Sequence, residues 1–371
     1  IVVNAETGKR FGRSLDPDTN GYTSESFEEG TVGLDMTLSL FEGFSRINQV
    51  RFRKMNKERS EWELKEKQNE LAYQVTDAYY KLILERKLLD LALEQSRLSE
   101  RYLKQTEVFV ELGLKSASDL QEVKARREGD IYRYQSRENS SRIALLHLKQ
   151  LMNIQPGDTL AILDTITASQ VPPYSVSTVE TLYAQSIEIL PSIRMIDLKQ
   201  KAAHKEYAIA GGAFSPSVFA RFTVGSNYYN TAFSARQLRD NIGKYVGVGI
   251  SFPLLSGLQR LTNQRKLKLN MYRLKNEEEL EKQQLYTDIE QTLLSLHTGY
   301  SEHQQALSQL DAETLVLKES ERKWEEGLIS VFQLMEARNR FIAAKAELVR
   351  VRLQIEMMMK LEKYYRQGTF L

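Results

Sequence analysis

Shifting the chain along itself by 214 positions lays Gly113 on Gly327, Gly33 on Gly247, Gly43 on Gly257, Leu120 on Leu334 and Arg126 on Arg340, with no gap. The register holds from about residue 33 to about residue 150. Two unrelated amphipathic helices would need gaps to align over that distance, so the chain is a duplicated half. The period is far too long for a solenoid. The first repeat spans 1–178 and the second 179–371.

Within the first repeat, 31–41 alternates strictly. Val32, Leu34, Met36, Leu38 and Leu40 share one face, and Gly33, Asp35, Thr37 and Ser39 the other. The second copy at 245–254 sets Val246, Val248, Ile250, Phe252 and Leu254 against Gly247, Gly249, Ser251 and Pro253. Further strands are expected at 1–5 and at 217–225. A water-soluble sheet would carry Lys, Glu and Arg on its polar face. Small polar residues opposite an apolar face fit the inside of a barrel whose outside meets lipid. Gly8 to Gly30 carries turn chemistry and is expected to be a loop, and so is Ser226 to Gly243, with Tyr228, Tyr229 and Phe233 as interface aromatics.

Each second strand runs into an elbow, at Gly43 in the first copy and from Pro253 to Gly257 in the second. Neither Gly nor Pro follows from Phe44 to Leu112, and only Gly299 from Leu258 to Glu326. Long helices are therefore expected over 44–112 and 257–326, each roughly 100 Å at the α-helical rise. Apolar positions such as Leu71, Val75, Ala78, Leu82 and Leu89 recur at three and four, a coiled-coil-like stripe. Both helices stop at a glycine, Gly113 or Gly327, and Ser116 or Ser330 offers an N-cap for a return helix, 117–152 or 331–365. A linker at 153–178 should wrap outside the helices. A helical segment at 179–210, broken at Pro191, has the length to stack end to end with a return helix. The first repeat lacks that segment, so roughly that much sequence is expected before Ile1.

Several function classes drop out. The net charge of +2 gives no case for nucleic acid. The chain has no cysteine, and its four histidines are scattered on helices, so metal and thiolate chemistry lack ligands. Gly211-Gly212 precedes a strand and reads as a helix stop. No catalytic residue and no cofactor is expected. No run of apolar residues is long enough for a transmembrane helix. Four strands cannot close a barrel, and open edges in hydrocarbon leave backbone groups unpaired. Several chains in ring symmetry must then share one wall. Strands closed that way and continued by helices imply a conduit. The alternative is a soluble or periplasmic coiled-coil scaffold without a pore, which explains the helices but not the strand faces.

The repeat, the Pro-Leu-Leu-Ser-Gly elbow at Pro253 to Gly257 and the paired tips (Gly113 with Ser118-Asp119-Leu120, Gly327 with Leu334-Met335-Glu336-Ala337) resemble the TolC-like outer-membrane efflux family over essentially the whole chain. The resemblance implies an α+β membrane fold, with four β-strands per chain in a shared transmembrane β-barrel continued by a long α-helical barrel. It implies a homotrimer in the outer membrane with a periplasmic extension, serving tripartite efflux or type I secretion as a passive duct. The partners implied are outer-membrane lipid, a periplasmic adaptor (membrane fusion) protein and an inner-membrane transporter. Adaptor docking would fall on the tips: Gly113, Leu114, Ser116, Gly327, Leu328 and Ser330. The constriction would involve Ser118, Asp119, Trp324, Ile329, Gln333 and Glu336. Ile329 stands where the family often has a basic residue, and Gln333 where it has an acid. Trp324 and Ile329 are thus expected either to plug a more apolar constriction or simply to pack helix on helix.

Overall fold

The computed structural model describes residues 1–15, 20–24, 26–155, 157–163, 170–173, 177–230, 233, 235–254 and 258–370. Gly257 and part of the linker lie outside them. The chain divides into two compact units, 1–59 with 197–277 and 60–196 with 278–371. Each unit takes a share of both repeats.

The first unit holds an antiparallel sheet of β1 (Val2–Arg10), β4 (Phe27–Glu42), β5 (Ser217–Asn230) and β6 (Gly243–Ser251), in the order β1-β4-β5-β6. A second, two-stranded pairing joins β2 (Ser14–Leu15) to β3 (Tyr22–Thr23). The loop expected between Gly8 and Gly30 is therefore shorter than its composition implies. Lys9 pairs with Glu28, and Arg10 bridges Glu29 at 2.9 Å, so opposite charges carry the ladder past the turn-rich stretch. Tyr228 and Tyr229 likewise belong to β5 and not to a loop. Tyr228 is buried and shares a 2.6 Å hydrogen bond with Thr7, while Tyr229 stacks on Phe27 at 4.8 Å. A short helix, α5 (Ala235–Asp240), follows. β6 ends at Ser251, short of Leu254, consistent with Pro253 having no N–H to donate.

Strand register puts the expected residues on one face. Leu34, Met36 and Leu38 pair with Val224, Phe222 and Ala220, and the last two pair with Val246 and Val248. Val32, Leu34, Met36, Val246, Val248 and Ile250 are all exposed. On the other face, Asp35 accepts hydrogen bonds from Asn4 at 3.2 Å and Thr223 at 2.9 Å. That face is less uniformly small than the sequence implies, since it also carries Arg221, Phe219 and Tyr245. A Cβ on Gly249 would lie 2.5 Å from the Phe219 ring, and the Tyr245 ring covers Gly247 in the same way. These glycines make room for aromatics lying flat across the sheet.

The first elbow is tight. Gly43 and Phe44 both adopt left-handed backbone, φ 58° and 62°. A Cβ on Gly43 would meet the Gly212 carbonyl oxygen at 2.6 Å, and the Ser45 hydroxyl donates to the Ile209 carbonyl at 3.0 Å. The two glycines let the end of one helix sit against the start of another.

The helices are α1 (Ser45–Glu111), α2 (Ala117–Leu151), α3 (Val179–Ile189), α4 (Pro191–Gly212), α6 (Gln259–Glu325) and α7 (Val331–Gln367). α1 and α6 have 67 residues each. In the second unit one core joins Leu182, Ile289, Leu296 and Ile355, and another joins Ala78, Leu82 and Leu148. α3 overlaps the last turns of α7 instead of abutting them, with the Ser186 hydroxyl donating to the Tyr365 carbonyl at 2.7 Å. The described linker residues dock by their carbonyls: Leu163 accepts from Tyr79 at 2.8 Å and Pro172 from Tyr300 at 2.7 Å.

Gly43→Ala adds both left-handed strain and a backbone overlap, so it should destabilise by about 2–4 kcal/mol. At Gly113, φ 73°, a Cβ meets nothing within 4 Å, and Gly113→Ala should lose only about 1 kcal/mol. Thermal unfolding of the two variants in detergent measures the difference.

Candidate functional site at the helix tips

Both tips are built alike. α1 closes on Gly113, whose N–H donates to Val110 at 3.0 Å, and the Leu114 N–H donates to the Phe109 carbonyl at 2.8 Å. α6 closes on Gly327, φ 73°, with the Leu328 N–H donating to the Lys323 carbonyl at 2.8 Å. These bonds satisfy helix-end carbonyls that would otherwise lack partners. The next helix starts at once. Ser116 caps α2 and receives the Asp119 N–H at 3.1 Å, while its own N–H donates to the Asp119 carboxylate at 2.9 Å. Ser330 and Gln333 repeat the box on α7, at 3.3 Å and 3.0 Å.

Gln333 therefore fills the structural place of Asp119, one repeat on. A neutral amide can cap as the carboxylate does but adds no charge at the helix N-terminus. The Ser116 N–H, followed by its hydroxyl, holds the Asp119 carboxyl below its ordinary pKa. Glu336 is exposed and bridges Arg340 on its own helix at 3.2 Å, and Ser118 is exposed with it. Leu114 and Leu328 stand 66% and 68% exposed, one at each tip.

Trp324 lies elsewhere. It is 1% exposed, with its ring edge-on to Tyr102 at 5.2 Å and near Phe109 at 5.8 Å. Val123, Val331, Leu334 and Met335 complete the cluster, and Ile329 packs half-buried against it. Within one chain this pair packs helix on helix, with two aromatic rings from α1 enclosing the indole.

A groove of 380 Å³ opens beside this cluster between α2 and α7, lined by Glu122, Arg126, Phe332, Met335, Glu336 and Asn339 among others. Arg126 crosses it to donate to the Asn339 side chain. Beyond Asn339 a second groove of 620 Å³ continues past Tyr132, Arg133 and Ala346.

Between these grooves and α1 lies a buried polar network that the sequence reading passes over. Asp130 is 1% exposed and accepts from the Gln95 amide at 2.9 Å, from the Ser99 hydroxyl and from Arg133 at 3.3 Å. Arg338, 2% exposed, donates to the Gln95 carbonyl at 2.7 Å and lies over the Tyr102 ring. Its Nε and Nη1 have no hydrogen-bond partner among the described residues, and burial lowers its pKa. The available signal is the stripe itself: Leu91, Gln95, Ser99, Tyr102 and Thr106 keep its spacing with polar residues in apolar places. Among the described residues no group of acids or histidines could hold a metal ion.

A sheet with one exposed apolar face, joined to capped hairpins of very long helices, fits a membrane β-barrel protein with a helical extension. The outer membrane efflux protein family model matches residues 6–153 and 182–357, one segment in each repeat, and the chain belongs to that family. Among solved structures it is similar to the VceC outer membrane protein of Vibrio cholerae, at 14% identity and TM-score 0.80, covering 100% of this chain and 88% of that one. It is also similar to the CmeC outer membrane channel of Campylobacter jejuni, at 14% and 0.79, covering 99% and 78%. The MtrE channel of Neisseria gonorrhoeae in its open state gives 16% and 0.76, covering 100% and 80%. At such identities these likenesses establish the fold. No curated protein matches the sequence. The chain is thus an outer-membrane efflux channel protein with a periplasmic extension and not an enzyme, which sets aside the soluble-scaffold reading.

Two capping predictions follow from the tips. Asp119→Ala should weaken the first turn of α2 by about 1 kcal/mol at neutral pH. Because the folded pKa is lowered, that contribution is full above the ordinary carboxylate pKa and is lost as pH falls through the folded value. Gln333→Ala should show an effect of similar size with no such acid dependence. Hydrogen exchange of each first turn, corrected for intrinsic rate, reads both. In the network, Asp130→Ala should destabilise by about 3 kcal/mol or more, while Arg338→Met should fall within about 1 kcal/mol of the parent; unfolding in urea compares them.

Proposed function

We propose that three copies pool their sheets into one twelve-stranded barrel and that their helices wall a periplasmic tunnel. The observation that carries this reading is the sheet order: β1 and β6 are edges, and one face of the sheet between them is apolar and exposed. In hydrocarbon each unpaired edge group costs several kcal/mol, so the edges must pair with neighbouring copies. The homotrimer acts as a passive exit duct for a tripartite efflux or type I secretion system. An inner-membrane transporter supplies the energy and a periplasmic adaptor bridges to the duct. Each repeat, 1–178 and 179–371, contributes one helical hairpin to the tunnel.

The adaptor docks at the tips, with Leu114 and Leu328 as exposed anchors framed by the Gly113, Ser116, Gly327 and Ser330 turns. The groove between α2 and α7 gives an adaptor helix a place to lie. Asp119 and Glu336, half-exposed and exposed near the helix starts, set the charge of the tunnel mouth beside the Ser118 hydroxyl, with the neutral Gln333 diluting it.

Mass measurement of the detergent-solubilised protein should return three times the 42.8 kDa chain, and planar bilayers should show ohmic pores. A monomeric particle or a silent bilayer overturns the duct. Asp119→Ala with Glu336→Ala should change single-channel conductance or ion selectivity, and unchanged values would remove these residues from the mouth. Leu114→Asp with Leu328→Asp should abolish co-purification of the adaptor while leaving the trimer intact.

A further inference from the structure

Charge is segregated at the starts of the two long helices. Ser45 to Arg59 holds six Lys or Arg and a single acid, Glu58, and 259–275 holds six and no acid, in a chain whose net charge is only +2. The repeat register superposes Arg46 on Arg260, Arg51 on Arg265, Lys54 on Lys268 and Arg59 on Arg273. Arg51, Arg53, Lys54, Arg265, Lys266 and Lys268 are exposed, and among the described residues none of them has an ion-pair partner. Exposed apolar side chains lie between them: Phe44 just before α1 and Ile47 and Val50 on it, Leu258 just before α6 and Leu261 and Leu269 on it.

We propose that this collar binds the anionic headgroups of phospholipids in the leaflet nearest the elbows. The proposal rests on the reading that the apolar strand faces meet lipid. β4 ends at Glu42 and α1 begins at Ser45, so the collar starts where the hydrocarbon-facing surface stops. At about 1.5 Å per residue, Arg51 and Lys54 lie roughly 10–15 Å along α1. A headgroup layer is about 6 Å deep, and the Debye length at physiological salt adds about 8 Å. Long basic side chains also reach back toward the membrane while their stems cover apolar surface. The first three turns are therefore within electrostatic range. A site for a soluble anion would need the charges but not the interleaved Ile, Val and Leu, whereas a membrane interface uses both.

The test uses the full chain in vesicles of phosphatidylcholine mixed with phosphatidylglycerol, with native mass spectrometry reading the lipids retained on release. The parent should enrich phosphatidylglycerol by about fivefold or more, the factor expected from one well-placed charge. High salt should bring the ratio close to parity, and so should the variant with Arg51, Lys54, Arg265, Lys266 and Lys268 all changed to Gln. Removing five exposed charges elsewhere (Lys104, Lys124, Lys318, Lys360 and Lys363 to Gln) should leave the enrichment in place. Equal retention by the parent overturns the proposal, and so does an enrichment indifferent to the five collar substitutions. A collar variant that keeps its lipid preference but shifts the reversal potential would assign the charges to a lumenal anion instead. The salt arm stands on the parent protein even if the variant fails to assemble. Failure of the parent to insert into any vesicle would sink the lipid-facing reading of the strands, a result distinct from insertion without lipid preference.

Discussion

Hydrogen bonding at the edges of a four-stranded sheet is the constraint on which the rest of this molecule depends. Inside the sheet every strand has neighbours, and the register brings apolar residues onto one face across β4, β5 and β6. At β1 and β6 that satisfaction ends. In water an exposed edge invites aggregation; in hydrocarbon it leaves polar groups with no partner at all. Pooling sheets between copies removes the edges and gives the apolar face its solvent in the same step. The tight elbow then matters. A left-handed Gly43 and the close approach of Gly212 turn the chain from strand into helix within three residues.

The fold was largely legible because its signals are periodic or repeated. Strict alternation marked β4 and β6, long stretches free of Gly and Pro marked α1 and α6, and the glycine tips marked where they turn back. What escaped was decided by pairing. Lys9, Glu28, Tyr228 and Tyr229 sit in residues that look like loop, yet cross-strand partners extend β1, β4 and β5 over them. Phe219 and Tyr245 on the small-residue face could not be foreseen from alternation alone, since it assigns a side and says nothing of which glycine a ring will cover.

At the tips, both serine caps were readable from spacing, and so was the helix-packing alternative for Trp324. Its aromatic neighbours were not, because Tyr102 and Phe109 lie more than two hundred residues away in sequence. The Asp130 network was missed for a different reason. Spacing puts polar residues at stripe positions but does not say what covers them, and the helix that brings Arg338 over them belongs to the other repeat.

That network shows how the duplicated halves have diverged in chemistry while keeping their geometry. The repeat counterpart of Asp130 is Ala344, which is equally buried, and the counterpart of Arg338 is the exposed Lys124. Trp324 corresponds to Val110, and Asp119 to Gln333. Three of these differences remove a charge or a ring from one hairpin and keep it in the other, and the fourth trades a buried Arg338 for an exposed Lys124, while the glycine turn and the serine cap stay the same. Two hairpins of one backbone thus present different surfaces, one acidic at its helix start and one neutral. In a ring of three chains these would alternate around the mouth.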